Sequence, residues 1–303
     1  MFWTRFTALF LMTVTVSGAA VRLTGSGLGC TDWPTCNVNT ELDAPGFHSA
    51  VEFGNRMFSG LAIIPVLAAW AGARRARRDL VPLLVLIVLG FVGQVVLGML
   101  VTRTELDPRL VLGHFLLSIV LILFGVLLDH RARAEPVVIP DEPGVAQQLS
   151  VLRIHAWVVV SLTALIIVLG TLVTGSGPHT GSEKSGEPIG RLGFDIREIT
   201  RMHSALVWVL ALVLAWALWA TRTGNPFHRG RLTRLIVLGA AQGAIGYLQY
   251  FTGVPVLLVA FHVAGSVLLF ADAVLYADES GIRAKAAASL PSARGSDPMV
   301  PTP

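Results

Sequence analysis

The stretch "VEFGNRMFSGLAIIPVLAAWAGA" (Val51–Ala73) joins two characters in one run. Its second half is apolar enough to sit in a bilayer, whose core asks for about 20 apolar residues per helix. Its first turns hold Glu52, Asn55 and Arg56. Ionisable groups are expensive in lipid and rare there without a purpose. The run therefore raises fold and function together: a membrane span with a carboxylate, an amide and a guanidinium at one end.

The rest of the chain agrees with a membrane. Of 303 residues, 53% are hydrophobic and 14% charged, and a soluble core of this size could not hide that much apolar surface. The net charge of +4 does not call for a nucleic-acid partner, because the arginines cluster in short loops between apolar runs. Eight runs are long enough to span: roughly 5–24, 51–73, 80–102, 109–130, 151–174, 199–221, 232–252 and 254–277. The first could be read as a signal peptide, but its repeat counterpart, described below, is an internal span. Loops 73–79, 130–135 and 221–234 are basic, whereas 31–50 has acids and no Lys or Arg. Fifteen of the 23 Lys and Arg residues then fall on one side, which the positive-inside rule makes the cytoplasm, together with both termini. Residues 278–303 lack periodicity and read as a disordered tail.

The two halves resemble each other. "TGSG" ends the first span (Thr24–Gly27) and the fifth (Thr174–Gly177), an offset of 150. At an offset of 148, Gln94 and Gly98 match Gln242 and Gly246, His114 matches His262, and Asn55 matches His203. Each half has four spans, so both enter from the same side: a parallel repeat. The expected fold is an all-α membrane protein of eight transmembrane helices, as two pseudo-twofold-related four-helix bundles. Residues 1–130 form the N-terminal half, 131–150 a cytoplasmic linker and 151–277 the C-terminal half. Asn55, His114, His203 and His262 lie at or within about 12 Å of the outer helix ends, at about 1.5 Å per residue, and Gln94 and Gln242 share that depth.

Two histidines facing each other inside a four-helix bundle suit axial ligation of a haem. His203 and His262 are such a pair; the plainer reading is imidazoles satisfied by interhelical hydrogen bonds. The N-terminal half offers only His114, with Asn55 where symmetry expects its partner, and an amide is a poor iron ligand. Glu52 lies one turn before Asn55 on the same face. An apolar site suits it to proton transfer; otherwise it is an interfacial carboxylate near a helix N-terminus. Arg56, Arg22 and Arg201 could pair with haem propionates or snorkel to headgroups. Cys30 and Cys36 share an outer loop on the oxidising side, which favours a disulfide over a redox-active pair. His48 is a spare ligand or, better, a loop histidine. His130, His155, His179 and His228 read as solvated or interfacial.

Taken together, "GAAVRLTGSGLGCTDWPTC", "VEFGNRMFSG", "VLGHFLLS", "RMHSALVW" and "AFHVAGS" resemble the haem A synthase family over residues 5–277. The resemblance implies an oxidoreductase that converts the C8 methyl of haem O to the formyl of haem A for terminal oxidase assembly. It implies a multi-pass protein of the bacterial plasma membrane, in contact with lipid. A haem b is implied in the C-terminal half on His203 and His262. The substrate haem is implied in the N-terminal half on His114, beside Asn55 and Arg56, with Glu52 as the essential glutamate. Further partners would be an electron donor, haem O synthase and oxidase assembly factors. Asn55 departs from the family's "ExxHR", which puts bis-histidine ligation of the substrate in doubt. A non-enzymatic dihaem cytochrome b is the rival reading; it would want four histidines with haems near opposite faces.

Overall fold

The computed structural model describes residues 2–37, 46–137, 144–182, 190–221 and 226–289, without the side chains of 226–228. The chain forms α1 (Phe2–Leu23), α2 (Phe47–Leu61), α3 (Ile63–Ala76), α4 (Val81–Arg103), α5 (Pro108–Arg133), α6 (Val145–Ser176), α7 (Ile196–Ala220), α8 (Pro226–Phe251) and α9 (Val256–Ala288). A single 3₁₀ turn, Arg78–Leu80, leads into α4. No strand occurs among the described residues beyond one antiparallel bridge, Ser26 to Ser182. Helices are what lipid permits, since each satisfies its own backbone hydrogen bonds.

Among the described residues seven helical segments are long and apolar enough to cross a membrane, α2 and α3 together counting as one. The eighth expected span, α8, runs 26 residues alongside α7 and α9. Its first turns carry Arg229, Arg231 and Arg234, which lower its hydropathy. The surface is inverted relative to a soluble protein. Leu9, Leu67, Leu89, Trp208, Leu212, Trp219 and Leu257 are all more than half exposed, a face for lipid. This is a multi-pass membrane protein.

Inside the N-terminal half, α1 packs on α2, α3 and α5, and α4 packs on α3 and α5. Inside the C-terminal half, α6 packs on α7 and α9, and α8 on the same two. The neighbour order is the same in each. So is one turn. After α4, Leu106 N–H reaches Val101 O at 2.9 Å, with Glu105 and Leu106 at φ 50° and 66°. After α8, 148 residues on, Val254 N–H reaches Gln249 O at 2.7 Å, with Gly253 and Val254 at φ 80° and 60°. This six-to-one bond is a helix C-terminal cap. It costs strain at the non-glycine positions, which normally avoid the left-handed region.

Three expectations change. The second span is broken at Ala62 because Pro65 has no N–H to offer Leu61 and its ring crowds that carbonyl. The linker is shorter than 131–150, since α5 runs to Arg133 and α6 begins at Val145. The tail is not disordered from 278: α9 continues to Ala288. Its alanine-rich last turns pack Ala284 and Ala287 on Leu149. Glu279 pairs with Arg283 at 3.3 Å, and Asp278 is tied to α5. Those charges masked the helical period. Residues 290–303 lie outside the described residues.

Candidate functional site

The polar turn that opens α2 holds down the loop that carries Cys30 and Cys36. Gly29 makes this possible: a Cβ there would lie 2.3 Å from the His48 carbonyl, so only glycine lets residues 24–30 press on α2. Ser49 Oγ donates to Gly29 O at 2.5 Å. The buried Glu52 carboxylate then accepts from Cys30 N–H at 2.8 Å and from Arg56 Nη2 at 2.5 Å. Arg56 Nη1 donates to Asp32 O at 2.8 Å and Thr35 O at 2.9 Å, and Nη2 also to Thr102 Oγ1 at 3.3 Å. Cys30 and Cys36 are disulfide-bonded, as expected. Glu52 and Arg56 thus grip both ends of the disulfide loop, and Arg56 is satisfied by protein groups rather than left free for a headgroup. Within the loop, Asp32 accepts from Thr35 Oγ1 at 2.5 Å and Asn37 N–H at 2.6 Å. These bonds, the Thr35 hydroxyl first, hold its carboxyl below the usual carboxylate range.

One turn on, Asn55 Oδ1 lies 2.8 Å from Ser17 Oγ of α1. His114 sits on α5 with its ring edge toward Gly98 of α4, where a Cβ would be 3.5 Å from Cε1. Gln94 Nε2 donates to His114 O at 3.0 Å and Ser118 Oγ at 2.8 Å. His114 Nδ1 is buried without a hydrogen-bond partner among the described residues.

In the other half, His203 of α7 and His262 of α9 face each other, ring centres 6.3 Å apart and planes at 71°. Two imidazoles on opposite sides of one metal, each bonded at about 2 Å, would put their centres roughly 6 Å apart. His203 Nδ1 donates to Ile166 O at 3.0 Å. That fixes the tautomer with Nε2 free of hydrogen, as a ligating imidazole needs. His262 Nδ1 is buried and unpartnered among the described residues. Glycines make room for both rings: a Cβ on Gly246 would lie 3.3 Å from His262, one on Gly170 3.2 Å from His203. Orphaned ring nitrogens cost about 1–3 kcal/mol each, and this donor set fits a haem iron. Among the described residues no group of three or more His, Cys, Asp or Glu could hold a bare metal ion.

The other described histidines, His48, His130, His155 and His179, each have a protein partner. His48 is in α2, not a loop, because that helix starts at Phe47; its Nδ1 lies 2.9 Å from Ser26 Oγ. His155 is buried rather than interfacial, since the longer α6 places it ten residues in. It donates to Val213 O at 3.1 Å and accepts from Tyr276 OH at 3.0 Å. His130 pairs with Asp278 at 2.8 Å, and His179 donates to Val254 O at 2.9 Å. The side chain of His228 lies outside the described residues. Arg22 donates to His179 O and Thr174 O at 2.9 and 3.1 Å, joining the halves; Arg201 is exposed. Ser17 and Gly170 went unnoticed in the sequence. The only signal was their place within a few residues of corresponding positions on the first helix of each half, Ser17 on α1 bonded to Asn55 and Gly170 on α6 beneath His203.

The sequence model of the COX15-CtaA family, described as cytochrome oxidase assembly protein, matches residues 1–44 and 37–180, more than half the chain. The chain belongs to this family. That bears out the resemblance to the haem A synthase family. Haem A synthases of Listeria welshimeri and Listeria innocua are 26% identical over 297 residues, covering 89% of this chain and 91% of theirs. A shorter likeness, 46% over 69 residues, links 22% of this chain to 11% of a protohaem IX farnesyltransferase from Thermus thermophilus. Family membership fits a chain whose polar residues lie in the first turns of α2, α5, α7 and α9.

Proposed function

We propose that this chain is a haem A synthase, an oxidoreductase converting the C8 methyl of haem O to a formyl group for terminal oxidase assembly. Its similarity to haem A synthases along nearly their whole length carries the reading. The facing His203–His262 pair and the lone His114 support it chemically. The likeness to a protohaem IX farnesyltransferase supports a place in haem O-related chemistry. Its product would leave for oxidase assembly.

In this reading the chain is two four-helix bundles related by a pseudo-twofold axis along the membrane normal. The repeated turns at Leu106 and Val254 support that. Both termini would face the cytoplasm, where the basic loops lie. His203 and His262 would hold haem b in the C-terminal half, 151–277, and His114 the substrate iron in the N-terminal half, 1–130. Haem b, when bound, supplies one-electron transfer. The chain's own residues do the rest. The Nδ1–H bond to Ile166 O orients His203. Gly98 and Gly246 let His114 and His262 lie close on α4 and α8. Glu52, under the disulfide loop, takes up protons released as the methyl is oxidised, and Arg56 holds the carboxylate in place.

Expression with a haem O source should give haem A on extraction and chromatography, and purified protein should give a protohaem spectrum as its pyridine complex. A protein that carries no haem and makes no haem A would end this reading. If Glu52→Ala yielded as much haem A as wild type, the proton role of Glu52 would be wrong.

A further inference from the structure

One difference between the two halves is shared by three residues. In the C-terminal half His203 donates to Ile166 O and lays its ring edge over Gly170, where a Cβ would come within 3.2 Å. That is tighter than ordinary contact. At the helix offset of 150, Gly170 corresponds to Ala20 and Ile167 to Ser17. At the offset of 148, His203 corresponds to Asn55. The N-terminal half therefore has a methyl where the imidazole needs none. It has a hydroxyl where the other half has an apolar side chain. Ser17 Oγ meets Asn55 Oδ1 at 2.8 Å, so the shorter amide is drawn onto α1. Ala20 is exposed, whereas Gly170 is partly covered.

The opposite side of each site is kept. His114 lies on Gly98 as His262 lies on Gly246, with a Cβ at 3.5 and 3.3 Å from the rings. Asn55 is thus not an isolated loss in a decaying repeat, because Ser17 bonds the amide and Ala20 carries a methyl at the position that corresponds to Gly170.

We infer that Ser17, Ala20 and Asn55 form a built pocket opposite His114. It leaves the substrate iron one protein ligand and opens its other side to a small neutral molecule, water or a diatomic gas. The inference rests on the haem reading above. An amide is a weak ligand for haem iron, but it hydrogen-bonds a small molecule placed beside it.

The test uses full-length protein purified with haem in both halves. Ferric electron paramagnetic resonance and carbon monoxide binding to the dithionite-reduced protein are the readouts. Wild type should show a low-spin population that disappears in His203→Ala. It should also show a high-spin population that disappears in His114→Ala, with carbon monoxide binding in proportion to the latter. The low-spin signal reports folding in every N-terminal variant. Asn55→His combined with Ala20→Gly should turn the high-spin population low-spin and cut carbon monoxide binding at least tenfold. Asn55→His alone, with the Ala20 methyl still present, should convert less of it. A wild type whose N-terminal haem is low-spin and inert to carbon monoxide overturns the pocket while leaving the haem reading standing. So does a double variant that binds the gas as wild type does. A protein with no haem, or one whose low-spin signal survives loss of His203 and His262, overturns the haem reading and the pocket with it.

Discussion

Replacing Glu52 by Gln keeps an acceptor for Cys30 N–H but leaves the Arg56 guanidinium half-buried and short of its counter-charge. Breaking one side of a buried ion pair costs roughly 3 kcal/mol, and the thermal midpoint should fall accordingly. Because Arg56 also grips Asp32 O and Thr35 O, the loop should become sensitive to protease in the same variant. An unchanged midpoint would show that the pair is not structural. At the glycine platforms, Gly246→Val puts methyls into a ring already 3.3 Å from the Cβ position. Overpacking of that kind costs about 1–3 kcal/mol; the low-spin haem signal should fall, while Gly243→Val, with open space at its Cβ, should keep it. At this scale the sequence showed which residue types matter. The repeat singled out Asn55, His114, His203 and His262 by position, and Glu52 stood out one turn before Asn55. Ser17 stayed hidden because a serine in an apolar helix has no periodic signature, and its meaning lies in a contact 38 residues away.

Among the elements, the break between α2 and α3 follows from one residue. Pro65→Ala restores an N–H within reach of Leu61 O, a net gain of about 1 kcal/mol for one hydrogen bond. Hydrogen exchange should show the amide of residue 65 protected; free exchange there would mean the kink has another cause. The disulfide loop has a pH dependence of known sign. The Asp32 carboxyl is held below its ordinary value by Thr35 and Asn37. Its contribution is therefore complete above the ordinary carboxylate range, near about 4, and is lost as pH falls through the depressed value. Protease protection of residues 31–37 should hold down to that range and weaken below it, and Asp32→Asn should be less protected and flat with pH. Helix number and order were legible from apolar runs. The extension of α9 was not, because its last turns are held by ion pairs and by packing on α6 rather than by an apolar face.

The whole molecule is joined at both ends. At one end Arg22 donates to His179 O and Thr174 O, Gly27 N–H bonds Gly181 O at 2.7 Å, and Leu106 wedges between those two glycines. At the other end Asp278 of α9 binds His130 and Arg131 of α5. Bonds to a charged group are worth about 1.5–3 kcal/mol each. Arg22→Ala should therefore cost about 3 kcal/mol and lower the thermal midpoint. Arg22→Lys should recover only part, because one ammonium cannot reproduce the guanidinium fork. An Arg22→Ala protein that unfolds with wild-type stability would show that this clasp does not hold the halves together.

By itself the sequence determined that the chain crosses the membrane repeatedly, which residues recur between its halves, and that Asn55 stands where a histidine recurs. Hydropathy and spacing are local or translational properties, and both can be read along a line. Only the tertiary structure decided that Glu52 grips the disulfide loop, that His203 and His262 face each other with ring centres 6.3 Å apart, and that Ser17 bonds Asn55. Those facts depend on how helices far apart in sequence turn their faces to one another. Van der Waals contacts and hydrogen bonds of 2.5–3.5 Å settle that rotation, and no period in a single helix encodes it.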